Sequence, residues 1–287
     1  MEDLKDLQAH TTVSAAIDLG FSEVFRITDI ILPGFKIDLY SGSYRDEVKS
    51  ALCTFLEFMN SGGQKLSQLT LLDVGVGRGW SSYITAHFFG TVCGCDLDEA
   101  TYATTGFGGF ENFKHHQEYW KNFVMKRSNL LFSAFDGYHI PIASGSVDAV
   151  LAIAVLEHLG KNALNNDKRY EWLQEINRVL RPGGVFCISQ CPNTFSFSER
   201  LARLFGLQSH KKLFSRKELV HLLNTCGFDV QLVKYAHPFV DFYPGRAQDV
   251  WNILYRMLFR RIGKLIQYTP FCFFFHHFTV ISAKKIV

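Results

Sequence analysis

The run LTLLDVGVGRG at residues 69–79 decides the fold. Its first half is short and apolar, which is typical of a buried β-strand, and its second half carries Gly75, Gly77 and Gly79. Glycine lets the backbone turn sharply and approach a ligand without a Cβ clash, and a helix that follows presents unpaired N–H groups to that ligand. The run therefore predicts a strand, a ligand-binding turn and a helix in succession.

Short apolar runs and helical stretches alternate on the C-terminal side of this turn. Further strands are predicted at 91–96, 129–136, 147–155, 184–190, 229–235 and 278–284. An amphipathic helix is predicted from Tyr170 to Leu180, ended by RPGG at 181–184, and another after Ser215. Strands that alternate with helices predict an α/β fold with a mostly parallel sheet.

The N-terminal 66 residues have a different pattern and are predicted to be helical. Ser43 precedes a stretch in which Val48, Leu52 and Phe55 recur at helical spacing, and SGGQ at 61–64 ends that stretch. We therefore expect a helical N-terminal cap over 1–66 and one larger domain over 67–287.

Composition excludes several classes of protein. Of 287 residues, 47% are hydrophobic and 20% are charged, which indicates a globular chain, and a net charge of +3 gives no support for nucleic-acid binding. The seven cysteines include no CxxC pair and the N-terminus is acidic, so we expect a reducing, cytoplasmic location. The uncharged run from Leu265 to Ala283 contains Pro270 and two histidines, which argues against a membrane span.

An acidic residue completes the predicted ligand site. Asp96 ends the second predicted strand 21 residues beyond Gly75, where a carboxylate can accept hydrogen bonds from a ribose. A dinucleotide fingerprint would require glycine at position 80, where Trp80 stands, and Asp73 places negative charge where a dinucleotide brings phosphates. The pattern favours a nucleoside that carries an amino-acid group, with an NAD-dependent oxidoreductase as the weaker alternative.

Four motifs in this order carry a resemblance to a known family: DVGVGRG, AFDGYHIPIASGSVDAV, LAIAVLEHL and RVLRPGGVFCIS. The sequence resembles the class I S-adenosylmethionine-dependent methyltransferases over residues 69–190, in particular their small-molecule, quinone-biosynthesis-like branch. The resemblance implies a Rossmann-like fold with helices on both faces of a seven-stranded sheet whose last strand is antiparallel. Unmatched segments at about 101–129, 192–214 and 237–275 are then expected to be substrate-side insertions.

The resemblance also implies the contacts of S-adenosylmethionine. The amino-acid part would lie on Asp73, Gly75, Gly77 and Gly79, and the ribose would lie on Asp96. The adenine would contact Leu97, Asp136 and the backbone of Phe135. The methionine carbons would lie near Ala152 and Ile153. Asp148 precedes the fourth strand, away from these positions, and is expected to be structural.

The predicted catalytic residue is His158, which follows the fourth strand. A neutral imidazole there could take a proton from a hydroxyl or phenol. The alternative is a structural His158, because transfer from a sulfonium can proceed through positioning and desolvation without a base. No metal is expected, since the histidines lack ligand spacing.

Phenylalanine bears on the methyl acceptor. The chain has 27 Phe, of which only five lie within 69–100 and 130–191, so the enrichment falls in the segments expected to enclose an acceptor. This predicts a small apolar or aromatic acceptor.

The basic amphipathic stretch 246–268 is either a lid helix or a peripheral membrane contact. A non-catalytic S-adenosylmethionine-binding regulatory module remains an alternative function, and the oligomeric state is left open.

Overall fold

The structure is a computed structural model that describes residues 12–31, 39–99, 101, 109–159, 167–196, 200, 212–236, 269 and 277–286. The predicted lid or membrane-contact helix at 246–268 lies outside these residues, as do most of the expected insertions at 192–214 and 237–275.

One sheet organises the described part of the chain. Its strands are β1 (Thr70–Val74), β2 (Thr91–Leu97), β3 (Leu130–Phe135), β4 (Val147–Ile153), β5 (Leu180–Cys191), β6 (Phe228–Ala236) and β7 (His277–Lys284). The described helices are α1 (Val13–Ile31), α2 (Leu39–Ser61), α3 (Trp80–Thr85), α4 (Gly109–Lys126), α5 (Asp167–Val179) and α6 (Arg216–Thr225), with 3₁₀ turns at Leu66–Gln68 and Leu156–His158.

The strand order is β3-β2-β1-β4-β5-β7-β6. β7 runs antiparallel to both of its neighbours, and the remaining pairs are parallel, which confirms the predicted fold. β1 lies between β2 and β4, so the chain order reverses at β1. Ligands of open α/β sheets bind at the carboxyl ends of the strands where this reversal occurs.

Local signals set most of the element ends. The Ser215 hydroxyl accepts a hydrogen bond from the Glu218 N–H at 3.2 Å and so caps α6 as predicted. By contrast, α2 begins at Leu39, so Ser43 lies inside the helix rather than before it. α5 ends at Val179 and β5 begins at Leu180, because Leu180 pairs with Val147 before the register of the two strands shifts.

Each face of the sheet has its own hydrophobic cluster. On one face, α1 to α4 bury Phe21, Leu52, Ile84 and Phe123 against the sheet, so the helices of the predicted N-terminal cap lie within this cluster. On the other face, α5 and α6 bury a second set: Trp172, Ile176, Leu219 and Leu222. Each of these side chains contributes roughly 1.5–3 kcal/mol by its burial. The expected insertion at 101–129 contains α4, the crossover helix between β2 and β3.

A polar cluster joins α1 to the ends of α3 and α4. One carboxylate oxygen of Glu23 accepts a hydrogen bond from the Tyr83 hydroxyl at 3.0 Å and lies 3.2 Å from His87 Nε2 and 3.3 Å from Arg127 Nη2. These neighbours, His87 first, hold the pKa of Glu23 down to about 2. Glu23 therefore stays ionised in the folded protein above this lowered pKa and joins α1 to Tyr83 of α3 and to Arg127 just beyond α4.

We expect Glu23→Gln to lower the melting temperature at neutral pH and to flatten its acid dependence. The depressed pKa means that the contribution of Glu23 is complete above its ordinary pKa of 4.5 and is lost as the pH falls toward about 2. The free energy of unfolding at pH 7 should fall by about 1–2 kcal/mol, because Glu23 and its partner Arg127 are only partly buried. Thermal unfolding between pH 2.5 and 7 measures both effects.

The matched control is Glu57→Gln, which removes the same charge from an exposed position of α2 and should leave the melting temperature nearly unchanged. A melting-temperature difference between wild type and Glu23→Gln that stays constant across this pH range would contradict the assignment.

Candidate functional site

The glycine turn after β1 is built as the sequence predicts. Gly75, Gly77 and Gly79 have φ angles of 73°, 51° and 80°, a region that only glycine adopts readily. The N–H groups of Gly75 and Val76 both donate to the Cys95 carbonyl, at 2.8 and 3.3 Å. The turn is thereby tied to β2 before α3 begins.

Asp96 holds the centre of this turn. Its side chain is buried, and one carboxylate oxygen accepts a hydrogen bond from the Gly77 N–H while the other accepts from the Leu97 N–H at 2.7 Å. The sequence predicts Asp96 as a ribose ligand only. The structure gives it a second role, because the same carboxylate fixes the shape of the loop.

Asp73 adds a second buried carboxylate beneath the turn. One of its oxygens accepts hydrogen bonds from the hydroxyls of Ser81 and Ser82, at 2.6 and 2.7 Å. Burial raises the pKa of Asp73 to about 6, the two hydroxyls oppose that rise, and the nearby Asp96 adds to it. At neutral pH the carboxylate is still mostly ionised, so the loop lies in a negative potential.

The three glycines face different surroundings. A Cβ at Gly75 would lie 2.4 Å from Val155 Cγ2, and a Cβ at Gly79 would lie 2.8 Å from Phe132 Cζ. A Cβ at Gly77 would meet nothing within 4 Å. The open side of the turn is therefore at Gly77, between two buried acids, and these residues fit a nucleoside that carries a cationic amino-acid group.

Two side chains that sequence analysis missed complete the turn. The Trp120 indole N–H donates to the Gly77 carbonyl at 2.9 Å, and the Trp120 ring stacks on Phe132 with 5.2 Å between centroids. Val155 packs on Gly75 from the other side. Trp120 lies 43 residues beyond Gly77 with no motif around it, so local sequence carries no signal for this contact.

The residues predicted to bind adenine lie together beside this turn. A Cβ at Gly137 would lie 2.7 Å from Leu97 Cδ2, so the loop that starts at Asp136 touches the end of β2. The Phe135 carbonyl accepts a hydrogen bond from the Asp98 N–H at 2.7 Å, which joins the ends of β2 and β3.

The Asp136 carboxylate is held by its own loop. One of its oxygens accepts hydrogen bonds from the N–H groups of Tyr138 and His139, at 2.8 and 2.7 Å, and the other lies 2.5 Å from His139 Nδ1. Burial raises the pKa of Asp136, but the hydrogen bonds from His139 and Tyr138 together outweigh that effect and hold the pKa below its ordinary value. The oxygen beside His139 retains a lone pair for a further donor.

The ends of β4 and β5 contain two unusual backbone conformations. Ala154 and Gln190 have φ angles of 54° and 61° although neither is glycine, and the Ala154 N–H donates to the Ser189 carbonyl at 3.0 Å. Such conformations cluster at functional sites. Of the two residues predicted to lie near the methionine carbons, Ala152 is buried in the cluster under α5 and α6, and Ile153 packs toward the opposite face.

His158 closes the 3₁₀ turn that follows β4. Its N–H donates to the Val155 carbonyl at 3.0 Å, and its Nε2 atom lies 3.8 Å from Glu157 Oε1. The Glu157 side chain is fully buried, whereas the His158 side chain is 29% exposed. The imidazole is therefore partly accessible from solvent, and a buried carboxylate lies close to its Nε2 atom.

Asp148 lies near the amino end of β4, at the opposite end of the strands from the glycine turn, where it accepts a hydrogen bond from the Thr70 N–H at 2.8 Å and pairs with Arg181 at 2.6 Å. In the part of the chain that the structure describes, no three His, Cys, Asp or Glu side chains come together as metal ligands. Among the described helices, none combines the length and the apolar character that a bilayer span needs.

Comparison with known proteins shows which proteins this chain is similar to. Residues 72–188 match the family model described as a methyltransferase domain. The chain is 32% identical over 162 residues to a "probable S-adenosylmethionine-dependent methyltransferase" of Mycolicibacterium smegmatis, across 56% of this chain and 52% of that protein. It is 28% identical over 166 residues to the O-methyltransferase resE of Aspergillus sclerotiorum, across 56% of this chain and 54% of that protein. The chain thus spans about half the length of the curated relatives it matches.

The fold comparison agrees. A S-adenosylmethionine-dependent methyltransferase of Methanosarcina mazei superposes with a TM-score of 0.51 and 16% identity, over 80% of this chain and 97% of that one, which shows a shared fold. The predicted cofactor class is confirmed by the family match. Residues 72–188 of this chain are therefore similar to a methyltransferase domain in sequence and in strand order, and this similarity supports S-adenosylmethionine as the cofactor.

Proposed function

We propose that this protein transfers a methyl group from S-adenosylmethionine to an O, N or C nucleophile of a small apolar or aromatic molecule. One contact carries the proposal: Val155 packs on Gly75 of the glycine turn and accepts the hydrogen bond from the His158 N–H. The turn that binds the cofactor and the turn that carries a proton acceptor are therefore in direct contact.

The side chains around the glycine turn would orient the cofactor. Asp96 faces the ribose, Asp73 supplies negative charge beneath the amino-acid end, and Leu97 and Asp136 border the adenine. When bound, the cofactor supplies a methyl group on a positively charged sulfonium sulfur. The neutral thioether that remains after transfer is a good leaving group. The protein then has to align the acceptor with that methyl and to exclude water.

His158 has a role when the acceptor is a hydroxyl or a phenol. Its neutral imidazole takes the proton that the acceptor oxygen loses. The buried Glu157 carboxylate, 3.8 Å from His158 Nε2, stabilises the imidazolium that results. A neutral amine can attack through its lone pair before it loses a proton, so His158 matters less for an amine than for a hydroxyl.

The acceptor class is inferred from composition and from one relative. The phenylalanine enrichment lies outside the cofactor-binding segments, in line with an apolar acceptor site. The resE relative is named an O-methyltransferase, which supports an oxygen acceptor. A phenol combines an apolar aromatic ring with an oxygen nucleophile.

A binding and turnover experiment tests the proposal. S-adenosylhomocysteine is titrated by calorimetry, and the protein is then incubated with S-adenosylmethionine and a panel of phenols, quinols and aromatic amines. We expect micromolar binding and a methylated product by mass spectrometry. Binding without turnover across the panel would favour the regulatory-module alternative, and the absence of binding would overturn the proposal.

We expect His158→Ala to lower kcat for a phenolic acceptor by about 10²- to 10⁴-fold, the usual contribution of a general base. The affinity for S-adenosylhomocysteine should stay near that of wild type. His221→Ala, on the exposed face of α6, is the matched control and should change neither quantity. An unchanged kcat in His158→Ala would show that positioning alone drives the transfer.

Gly77→Ala tests which side of the turn the cofactor approaches. The new Cβ enters the open space above Gly77, so we expect at least a tenfold loss of affinity for S-adenosylhomocysteine by calorimetry. The backbone strain is about 1–2 kcal/mol. Gly63→Ala is the control, since Gly63 also has a positive φ, of 72°, with nothing within 4 Å of its Cβ. Equal affinities in the two variants would place the cofactor elsewhere.

A further inference from the structure

Two charged side chains of α5 hold the loop that follows β3, residues 136–146. Arg178 donates to the carbonyls of Ile140 and Ile142, at 3.0 and 2.9 Å, and to the Ser144 hydroxyl at 3.1 Å. A Glu175 oxygen accepts a hydrogen bond from the Ile140 N–H at 3.1 Å. We call Glu175 and Arg178 the loop clamp.

The two residues of the loop clamp form a bidentate ion pair. Arg178 Nε and Nη2 donate to the two carboxylate oxygens of Glu175, at 2.7 and 2.9 Å. This pairing lowers the pKa of Glu175 and raises the pKa of Arg178, so both groups remain charged across the working range of pH. A bidentate guanidinium–carboxylate pair has a defined geometry, which lysine cannot reproduce.

The clamp acts close to Asp136 without touching the cofactor site itself. Ile140, which receives bonds from both clamp residues, follows His139 directly, and the His139 N–H donates to the Asp136 carboxylate. The clamp is therefore connected to Asp136 through the peptide bond between Ile140 and His139 and the hydrogen bond from the His139 N–H. The loop from 136 to 146 has no helix or strand of its own, so the clamp contacts and the hydrogen bonds within the loop together set where the carboxylate lies.

We propose that Glu175 and Arg178 are positioning residues that make the cofactor site specific for adenine by fixing Asp136. The inference rests on the proposed role of Asp136 as the residue that binds the adenine edge. A carboxylate accepts a hydrogen bond from the 6-amino group of adenine, whereas hypoxanthine presents a carbonyl oxygen at the same position. A site built for a donor discriminates against an analogue without it, because the hypoxanthine carbonyl oxygen would face the negatively charged carboxylate instead of donating to it.

Calorimetry with S-adenosylhomocysteine and S-inosylhomocysteine tests this inference. Wild type should prefer the adenosyl compound by roughly 10- to 100-fold. Arg178→Ala should weaken adenosyl binding by about tenfold and leave inosyl binding almost unchanged, so that discrimination shrinks. Arg178→Lys and Glu175→Gln should lie between these limits, and they carry the test if Arg178→Ala does not fold.

Arg181→Ala is the matched control. Arg181 also pairs with an aspartate, Asp148, but near the amino end of β4, at the opposite end of the strands from the glycine turn. Its removal should therefore leave the discrimination between the adenosyl and inosyl compounds intact. A purely structural clamp would weaken both ligands equally and lower the melting temperature, and that result would overturn the inference.

Asp136→Ala separates this inference from the proposed function. Loss of discrimination in Asp136→Ala together with full discrimination in Arg178→Ala overturns the clamp alone. Retained discrimination in Asp136→Ala overturns both the adenine role of Asp136 and the clamp. Failure of wild type to bind S-adenosylhomocysteine overturns the proposed function itself.

Discussion

The backbone of Gly77 is the constraint on which the site depends. Its N–H donates to the Asp96 carboxylate and its carbonyl accepts from the Trp120 indole, so both polar groups of this residue are satisfied by the protein. The turn therefore keeps its shape without a ligand. Binding to a preorganised turn costs less conformational entropy than binding to a flexible one, which leaves more of the contact energy as affinity.

This arrangement places two carboxylates where they are unfavourable for folding. Burial raises the pKa of Asp73, and the neighbouring Asp96 raises it further. A ligand with a cationic amino group or sulfonium relieves that repulsion, since opposite charge favours the ionised form of both acids. Groups with perturbed pKa values concentrate at functional sites for this reason. The hydroxyls of Ser81 and Ser82 stabilise the Asp73 carboxylate enough to keep it in place.

Features encoded by neighbouring residues could be predicted from the sequence, and features that depend on distant packing could not. The glycine turn and Asp96 follow from strand alternation and from a spacing of 21 residues, so the fold could be predicted, whereas the cofactor class came from the family resemblance. The contacts of Trp120 with Gly77, and of Val155 with Gly75, join segments far apart in sequence and have no local signature. Helix α2 begins at Leu39, before Ser43, so a residue type that favours a cap does not fix a helix start by itself.

The two faces of the sheet anchor the two loops that we propose to bind opposite ends of the cofactor. α4, packed in the cluster with α1 and α2, fixes the glycine turn through Trp120, and α5, packed in the other cluster, fixes the Asp136 loop through Arg178. The transferred methyl would lie between these anchors, near the end of β4 where Val155 meets the glycine turn. Its alignment with an acceptor therefore depends on both hydrophobic clusters, because a shift of either helix moves one anchor relative to His158.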